Sequence, residues 1–354
     1  MEKTEAENYF KGRGSQIKPV NKFLKNRYVS EHIEGIDEPL IESPQTKVFH
    51  EHSKTIVNKV TSPDVGMIYS LNPYQGCEHG CSYCYARNTH EYYGFDAGLD
   101  FESKIIVKEN AAQLLEKLLL SPKWQPAPIS LSGNTDCYQP LERKKEMTRS
   151  LLKVFARYRH PVGMITKNSL ILRDLDLLKD LAEDRLIKVY ISITTLEENV
   201  RRAMEPRTAS AAKRLQTIEE LSKAGVPVGV MCAPIIPGLT DHEVPAILKA
   251  AADHGALMAG MTIVRLNGSV GQIFEDWIYK NFPDRAPKVI AQIKSVHGGQ
   301  LNDSDFGRRM RGEGKVAEMI NQLFKTSQRK YFAGRTMPEY DLSKFRRGGN
   351  LNLF

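Results

Sequence analysis

Three cysteines lie close together at Cys77, Cys81 and Cys84, separated by three and then two residues, with Tyr83 directly before the last. Thiolates at this spacing can hold three irons of a four-iron cluster and leave the fourth iron without a protein ligand. A cluster with four cysteine ligands usually only carries electrons, whereas an open iron can bind a small molecule. The spacing therefore predicts a catalytic iron–sulfur centre.

A structural zinc site is the alternative interpretation, because His79 or His90 could complete a set of three cysteines and one histidine. Zinc ligands more often come as two pairs of closely spaced cysteines, and the sequence contains no second pair. Disulfides are not expected, since five cysteines in 354 residues without a signal peptide indicate a reducing compartment. We therefore favour the iron–sulfur cluster.

Composition indicates a globular protein, with 41% hydrophobic and 26% charged residues. No apolar run approaches the roughly 20 residues that a membrane span requires. The N-terminal residues Met1–Glu7 are charged and lack the apolar core of a signal peptide. These features predict a cytoplasmic protein without membrane contact.

Apolar strands alternate with amphipathic helices after the cysteine loop, which predicts an α/β fold of parallel βαβ units. One of the predicted helices runs from Leu141 to Tyr158. Six strands are predicted, at residues 67–71, 129–132, 162–166, 188–194, 226–233 and 258–264. In parallel folds of this kind the chemistry lies where the strands end.

The loop Ser132–Pro140 follows the second strand and is rich in small and polar residues. Gly133 allows the backbone to approach a ligand closely. The alternative is an ordinary turn, in which Asn134 and Asp136 close their own backbone. We favour a ligand contact, because the loop has more polar residues than a turn requires.

At the cysteine motif the chain resembles the radical S-adenosylmethionine (radical SAM) enzymes, in which the open iron chelates the amino and carboxylate groups of SAM. The resemblance implies cleavage of SAM to a 5′-deoxyadenosyl radical and an electron donor such as flavodoxin or ferredoxin. It also implies an open partial (β/α)6 barrel of the TIM type, with the [4Fe-4S] loop after the first strand and with N- and C-terminal extensions.

The resemblance also assigns residues to the cofactor. Lys167 is expected to pair with the SAM carboxylate, and Ser192 and Thr194 to reach the ribose hydroxyls; a surface lysine is the alternative for Lys167. Arg207, in Glu205-Pro-Arg207, offers a guanidinium for a carboxylate or phosphate. The full predicted cofactor set is Tyr83, Tyr85, Ser132, Gly133, Asn134, Thr135, Asp136, Lys167, Ser192, Thr194 and Arg207.

Cys137 and Tyr138 are candidate hydrogen-atom donors, because both lie in the polar loop at the expected active-site face. Spore photoproduct lyase uses a cysteine in this role, although that cysteine lies a few residues earlier. Cys232 lies within a predicted strand and is interpreted as a small buried hydrophobe.

Further motifs are similar to those of bacterial radical SAM proteins grouped with spore photoproduct lyase, often under the label DNA repair photolyase. The matching segments are Ser62–Asp64, Asn72–Cys77, Gly98–Glu102, Asn134–Pro140 and Ala233–Gly238. This branch implies a damaged or modified DNA base as substrate. A protein or small-metabolite substrate stays an alternative, and so does a non-catalytic DNA-associated protein with a structural metal.

Positive charge is concentrated at the two ends of the chain, with a net +4 over residues 1–30 (7 − 3) and +5 over residues 301–354 (11 − 6). Such ends suit a polyanion such as nucleic acid, although basic tails also serve solubility. We predict four regions, which are a basic N-terminal extension (1–60), a radical SAM core (61–269) containing the iron–sulfur loop (72–87), a helical C-terminal extension (270–340) and a basic flexible tail (341–354).

The last five residues, Asn350–Phe354, resemble the short peptide by which bacterial repair and replication proteins bind the sliding clamp. Leucine and phenylalanine anchors on a flexible tail can fill a preformed groove. Asn350 stands in place of the usual glutamine, and the alternative is a tail that docks on its own body.

Overall fold

A computed structural model describes residues 9–24 and 45–348 of the chain. The strands are β1 (Lys47–Glu51), β2 (Val57–Lys59), β3 (Tyr69–Leu71), β4 (Tyr74–Gln75), β5 (Lys104–Lys108), β6 (Ile129–Leu131), β7 (Val162–Thr166), β8 (Ile187–Ser192), β9 (Val228–Ile235) and β10 (Ala259–Ile263). The main sheet has the order β10-β9-β8-β7-β6-β3-β2, and all neighbours from β3 to β10 are parallel. The six predicted strands and the open (β/α)6 arrangement are therefore confirmed.

Helices connect and cover the parallel strands. They are α1 (Leu99–Ser103), α2 (Ala111–Leu120), α3 (Glu142–Lys145), α4 (Met147–Arg157), α5 (Leu175–Glu183), α6 (Glu198–Met204), α7 (Ala211–Lys223), α8 (Val244–Asp253), α9 (Ser269–Asn281), α10 (Ala286–Val296) and α11 (Gly314–Tyr331). Short 3-10 helices cover Tyr85–Tyr93, Ser169–Asp174, Asp241–Glu243 and Leu342–Lys344. Within the described residues, no helix is both long and apolar enough to cross a membrane.

The predicted helix from Leu141 to Tyr158 is wrong at its centre, where the chain forms α3 and α4 instead. Glu146 separates them in the left-handed region, with φ of 50°. The buried Glu142 carboxylate accepts the backbone N–H of Thr148 at 3.1 Å. An acidic side chain thus satisfies a free donor at the start of α4, which favours a new helix over continuation of the first.

A second, three-stranded sheet was not predicted. It has the order β1-β5-β4, with β1 parallel and β4 antiparallel to β5. Together with β2, it draws residues from the predicted N-terminal extension into the sheets. Since β4 ends two residues before Cys77, this sheet fixes the start of the cysteine loop.

Two apolar cores hold the molecule together. The larger lies between the parallel strands and the helices α2, α4, α5, α7 and α8. The smaller joins Cys81 and Tyr83 to apolar residues of α6, α9 and α10. The C-terminal helices α9 and α10 therefore support the cysteine loop.

The first part of the predicted flexible tail, residues 341–348, lies against the body, which corrects that prediction. Phe345 packs edge-on against His160, with ring centroids 5.5 Å apart. The Arg347 guanidinium donates to the carbonyl oxygens of Ser121 and Trp124, the latter at 2.9 Å. The predicted clamp-binding peptide, Asn350–Phe354, lies outside the described residues.

His160 should make stability depend on pH. Burial lowers its pKa from 6.5 to about 4, and its Nε2 accepts the Trp124 indole N–H at 3.1 Å. The unfolded chain binds a proton below about pH 6.5 and the folded chain only near pH 4, so stability falls as pH drops through this range. The expected loss is about 3 kcal/mol, measured as the free energy of unfolding of metal-free protein in urea.

His160→Gln should reduce this pH dependence, because glutamine can keep the bond to Trp124 without binding a proton. A similar share should stay in the variant, since burial also lowers the pKa of His90 to about 4. His242→Gln is the matched control, since the side chain of His242 is largely exposed. An unchanged pH profile in His160→Gln would contradict the assignment.

Candidate active site

The cysteine loop is tightly turned and largely buried. Cys77 and Cys81 are buried, Cys84 is half-buried, and all three are free thiols. The N–H of Gly80 donates to the Cys77 carbonyl at 3.4 Å, and that of Cys84 to the Cys81 carbonyl at 3.3 Å. Gly80 has φ of 66°, a conformation that favours glycine. The turns therefore hold the three thiols close enough that Cys81 and Cys84 affect the pKa of Cys77.

Burial raises the pKa of the Cys77 thiol, and the charges of Asp136, Cys81 and Cys84 raise it further. Apart from the carboxylate, these are the groups that an iron cluster would bind, so the three thiols share one electrostatic environment. Deprotonated thiolates in such a buried place need a cation, and the irons of a cluster supply that charge.

The three cysteine sulfurs are not all as close together as the ligands of a single zinc ion. Sulfurs bound to one zinc at about 2.3 Å lie about 3.8 Å from one another. In the described part of the chain, the only three His, Cys, Asp or Glu side chains with ligand atoms all within 4.8 Å are Glu197, His242 and Glu243. The cysteine sulfurs are thus spread more widely than one zinc ion allows.

Neither histidine considered as a zinc ligand is placed for that role. The His79 ring is 3.3 Å from the Asp136 carboxylate. His90 packs between Phe95 and Phe101, with ring centroids 5.1 and 5.6 Å away. The structure therefore gives no support to a site of three cysteines and one histidine.

A buried ion pair fixes the far end of the loop. Arg87 and Glu102 are both fully buried and lie 2.5 Å apart. The Arg87 guanidinium also donates to the carbonyl oxygens of Cys81 at 2.9 Å and of Ala97 and Gly98 at 3.1 and 3.0 Å. One cation thus ties the cysteine loop to the segment before α1.

Residues 9–24, here called the N-terminal segment, close over the same pair. The Glu102 carboxylate accepts the N–H groups of Gly14 at 3.1 Å and Ser15 at 2.8 Å. A Cβ atom at Gly14 would lie 1.6 Å from the carbonyl oxygen of Gly80. Only glycine permits this approach, so the N-terminal segment is built to contact the cysteine loop.

A second buried network lies beside Cys81. The Tyr83 hydroxyl donates to Glu205, whose other oxygen accepts the Arg214 guanidinium at 2.5 Å. Burial would raise the pKa of Glu205, but Arg214 and Lys167 lower it to about 2. The carboxylate therefore stays charged among these groups.

Lys167 belongs to this network. Burial alone would lower the pKa of Lys167, but the nearby Cys81 and Glu205 raise it above its ordinary value. Its ammonium lies 5.9 Å from the centre of the Tyr83 ring. The lysine predicted at the barrel rim is thus beside the cysteine loop, where a positive charge stabilises thiolates.

Several side chains of loop 132–138 fasten the loop to neighbouring strands and to its own backbone. The Asp136 carboxylate accepts the Thr166 hydroxyl at 2.8 Å and the Lys167 N–H at 2.9 Å. Thr135 donates to the Tyr74 carbonyl at 2.7 Å, and Ser132 accepts the Cys137 N–H at 2.8 Å. Within the loop, Ser132 accepts from Cys137 and Asp136 accepts the Tyr138 N–H at 2.9 Å, as an ordinary turn would, while Thr135 and Asp136 also bind neighbouring strands.

Two residues of the loop stay partly open beside the cysteines. The hydroxyl of Tyr85, which follows Cys84, donates to the Gly133 carbonyl at 2.6 Å. Asn134 is half-buried, and its side chain donates to Thr89 at 3.2 Å. Gly133 and Asn134 are therefore the part of the loop left for a ligand.

Cys137 and Tyr138 lie in the core, and neither is exposed at all. The Tyr138 hydroxyl donates to the buried Asp174 carboxylate at 3.0 Å, and burial strongly raises the pKa of Cys137. A hydrogen-atom donor must reach the substrate, so this placement argues against the role predicted for both. Cys232 is also buried, as predicted.

Ser192 and Thr194 lie at the end of β8 and just after it. The Ser192 carbonyl accepts the Arg214 guanidinium at 2.9 Å. The Thr194 hydroxyl is buried and has no hydrogen-bond partner among the described residues. An unpaired buried hydroxyl is costly unless a ligand satisfies it, which fits the predicted contact with the SAM ribose.

Arg207 lies at the edge of the site. Its backbone N–H donates to the His79 carbonyl at 3.4 Å. The pKa of Arg13 is lowered mainly by the burial of Arg13 and, second, by the nearby charge of Arg207. It is half-buried, and no described side chain is paired with its guanidinium. It stays a candidate for an anionic group.

Sequence reasoning missed the residues that hold the site together, chiefly Arg87, Glu102, Glu205 and Arg214. Arg87 ends the cysteine motif. Glu205 begins the segment Glu205-Pro-Arg207, from which the sequence analysis selected Arg207 as a candidate cofactor ligand. No local signal distinguishes these residues, because each has polar or charged neighbours in the sequence and an ion-pair partner at least nine residues away.

The chain is similar to several known proteins. Residues 71–251 match the family model described as the radical SAM superfamily. An uncharacterised protein of Mycobacterium tuberculosis is 34% identical over 244 residues, which cover 67% of this chain and 71% of that protein. An uncharacterised protein of Methanocaldococcus jannaschii is 32% identical over 191 residues, which cover 54% of this chain and 68% of that protein.

Solved structures of spore photoproduct lyase have a similar fold. The complex with dinucleoside spore photoproduct gives a TM-score of 0.61 at 15% identity, covering 81% of this chain and 80% of that one. A double mutant of spore photoproduct lyase with bound AdoMet and dinucleoside spore photoproduct gives a TM-score of 0.61 at 16% identity, and the match covers 86% of each chain. At these identities the likeness is one of fold.

Proposed function

This chain belongs to the radical SAM superfamily, and from that premise we propose that its substrate is a base in nucleic acid, either damaged or modified. As a radical SAM enzyme it uses a [4Fe-4S] cluster and SAM, and when bound these supply a 5′-deoxyadenosyl radical that abstracts hydrogen. The observation that carries the proposal is an aromatic, arginine-rich segment across the open side of the barrel.

This segment, residues 301–312, joins the two edges of the main sheet. At one edge, the N–H of Ile263 in β10 donates to the Met310 carbonyl at 3.0 Å. At the other, the Gly307 N–H donates to Asp64, in the connection between β2 and β3, at 2.6 Å. Arg309 also pairs with Asp64 and donates to Ser62 at 2.6 Å.

Phe306 and Arg311 are the exposed side chains of this segment that suit a nucleic acid, whereas Arg308 and Arg309 are paired with carboxylates. Phe306 is 61% exposed, and the Arg309 guanidinium lies 4.3 Å from the centre of its ring. Arg311 is exposed. Aromatic rings stack on unpaired bases and arginines contact phosphates, and both are needed when a base leaves its stack.

The segment lies near the cysteine loop. Arg265, two residues after β10, lies 3.7 Å from the Met310 sulfur of the segment. Arg265 is also close enough to Tyr85 that each shifts the pKa of the other. The structural neighbour solved with a dinucleoside photoproduct supports the same substrate class. A substrate held by this segment would meet the site on the side of Tyr85 and Gly133.

The residues of this chain have distinct proposed roles. Cys77, Cys81 and Cys84 hold the cluster, while Lys167, Tyr83, Glu205 and Arg214 fix the charges around it. Gly133, Asn134 and Thr194 contact SAM, with Ser192 and Arg207 as further candidates. The predicted protein or small-metabolite substrate and the sliding-clamp contact stay predictions, since no described feature favours them.

Phe306→Ala should weaken binding of single-stranded DNA. A stacked base contributes about 1–3 kcal/mol, so the dissociation constant should rise roughly 5- to 100-fold, as measured by fluorescence anisotropy with a labelled oligonucleotide. Tyr279→Ala, which removes an exposed aromatic ring from α9, is the matched control. Equal affinities for wild type and Phe306→Ala would refute the proposed role of this segment.

A further inference from the structure

The N-terminal segment has a buried face and an exposed face. Its buried residues, Arg13 to Gln16, contact the cysteine loop and Glu102. Further along, the buried Asn21 side chain donates to the carbonyl oxygens of Glu91 and Phe95, both at 2.9 Å. The segment is therefore fastened along the 3-10 helix that follows Cys84.

The exposed face is basic. Residues 9–24 contain four lysines or arginines and no aspartate or glutamate. Arg13 is turned inward to donate to the Glu102 carbonyl at 2.8 Å. Lys11, Lys18 and Lys22 are exposed. The Lys22 ammonium lies 3.9 Å from the Glu91 carboxylate, so the positive charge of this face comes chiefly from Lys11 and Lys18.

Apolar side chains lie among these lysines. Val20, Phe23 and Leu24 are each about half exposed or more, and Tyr92 is 72% exposed. Phe23 stacks on Tyr92, with ring centroids 4.7 Å apart. Beside them, a cavity of about 310 Å³ lies between Val20, Lys22 and the start of α9. Exposed aromatic side chains are enriched at protein interfaces, and lysines around them can attract an acidic partner.

The path from this surface to the metal site is short. Gly14 is in backbone contact with Gly80, which lies between Cys77 and Cys81 in the loop. The exposed face of the N-terminal segment is thus one layer of polypeptide away from the cluster ligands.

We propose that this face docks a small acidic electron-carrier protein, of the flavodoxin or ferredoxin class, which reduces the cluster. One electron leaves the carrier's reduced cofactor and enters the cluster; the carrier is oxidised by one electron, the cluster is reduced by one, and no atom is transferred. Opposite charges steer such encounters, and electron-transfer interfaces are small and transient.

Nucleic acid is the other polyanion that this face could attract. The electron carrier is favoured because the face backs directly onto the cysteine loop, whereas the segment with Phe306 lies at the open side of the barrel. The inference rests on membership of the radical SAM superfamily and does not depend on the nucleic-acid substrate.

The test is a double charge reversal, Lys11→Glu with Lys18→Glu, in protein reconstituted with its cluster. The affinity of the variant for a purified bacterial flavodoxin is measured at low and high salt. In a second measurement, the rate at which reduced flavodoxin reduces the cluster is followed by the loss of cluster absorbance. Binding and the bleaching rate at low salt should fall on the order of tenfold or more. Iron content, SAM cleavage driven by dithionite and affinity for DNA should be unchanged.

The matched control is Lys315→Glu with Lys325→Glu, which makes the same charge change on the exposed side of α11. This control should bind flavodoxin as the wild type does. The proposal is overturned if both double variants behave alike, or if the N-terminal variant keeps its affinity for flavodoxin and loses its affinity for DNA.

Discussion

Replacing Cys84 by alanine is expected to abolish SAM cleavage. The three thiols share one buried environment, and each is assigned one iron of the cluster, so two thiolates leave the cluster without a full set of ligands. Iron and sulfide content after anaerobic reconstitution should fall to a small fraction of the wild-type value. The broad absorbance of the iron–sulfur cluster in the blue part of the visible spectrum should be lost. Formation of 5′-deoxyadenosine, followed by mass, should fall to background.

Two other cysteines give matched controls. Cys232→Ala and Cys137→Ala each remove a thiol that is buried in the main core, so both variants should keep their iron. Cys137→Ala should also still form 5′-deoxyadenosine, because the thiol lies away from the site. Normal iron content in Cys84→Ala would contradict the assignment of the cluster ligands.

Arg87→Met is expected to produce the largest loss of stability. It leaves the buried Glu102 carboxylate without its cation and removes the donors to Cys81, Ala97 and Gly98. Breaking a buried ion pair by removing one partner costs about 3–5 kcal/mol. The free energy of unfolding of the metal-free protein in urea should fall by this amount, and the cysteine loop should bind iron less well.

Arg202→Met is the control for this variant. Arg202 pairs with Glu198 on the surface of α6, with its side chain 70% exposed, and exposed pairs contribute at most about 1 kcal/mol. A similar small loss in both variants would show that the Arg87–Glu102 pair does not fix the loop.

The sequence predicted the parts of this protein that depend on local pattern. The spacing of Cys77, Cys81 and Cys84 predicts the cluster ligands, and the structure gathers these thiols in one buried loop. The β-branched stretch at Lys188–Thr194 located a central strand, because that signal lies within a few residues. The break at Glu146 was missed, since it depends on a carboxylate four residues earlier turning inward.

Residues that depend on distant partners could not be predicted. Glu102 meets Gly14 and Arg87 only after the chain has folded, and nothing local marks Gly14 as a position without room for a side chain. Cys137 and Tyr138 lie in a polar loop by sequence, yet their side chains turn into the core. Polar surroundings in sequence therefore did not establish exposure in the fold.

The most direct test of the central claim is the formation of 5′-deoxyadenosine by reduced, reconstituted enzyme with SAM and ultraviolet-irradiated DNA. The same reaction is run with unirradiated DNA and without DNA, and with Cys84→Ala in each case. We expect irradiated DNA to increase 5′-deoxyadenosine in the wild type alone. Equal amounts with and without DNA, from an enzyme whose cluster is fully loaded, would contradict a nucleic-acid substrate.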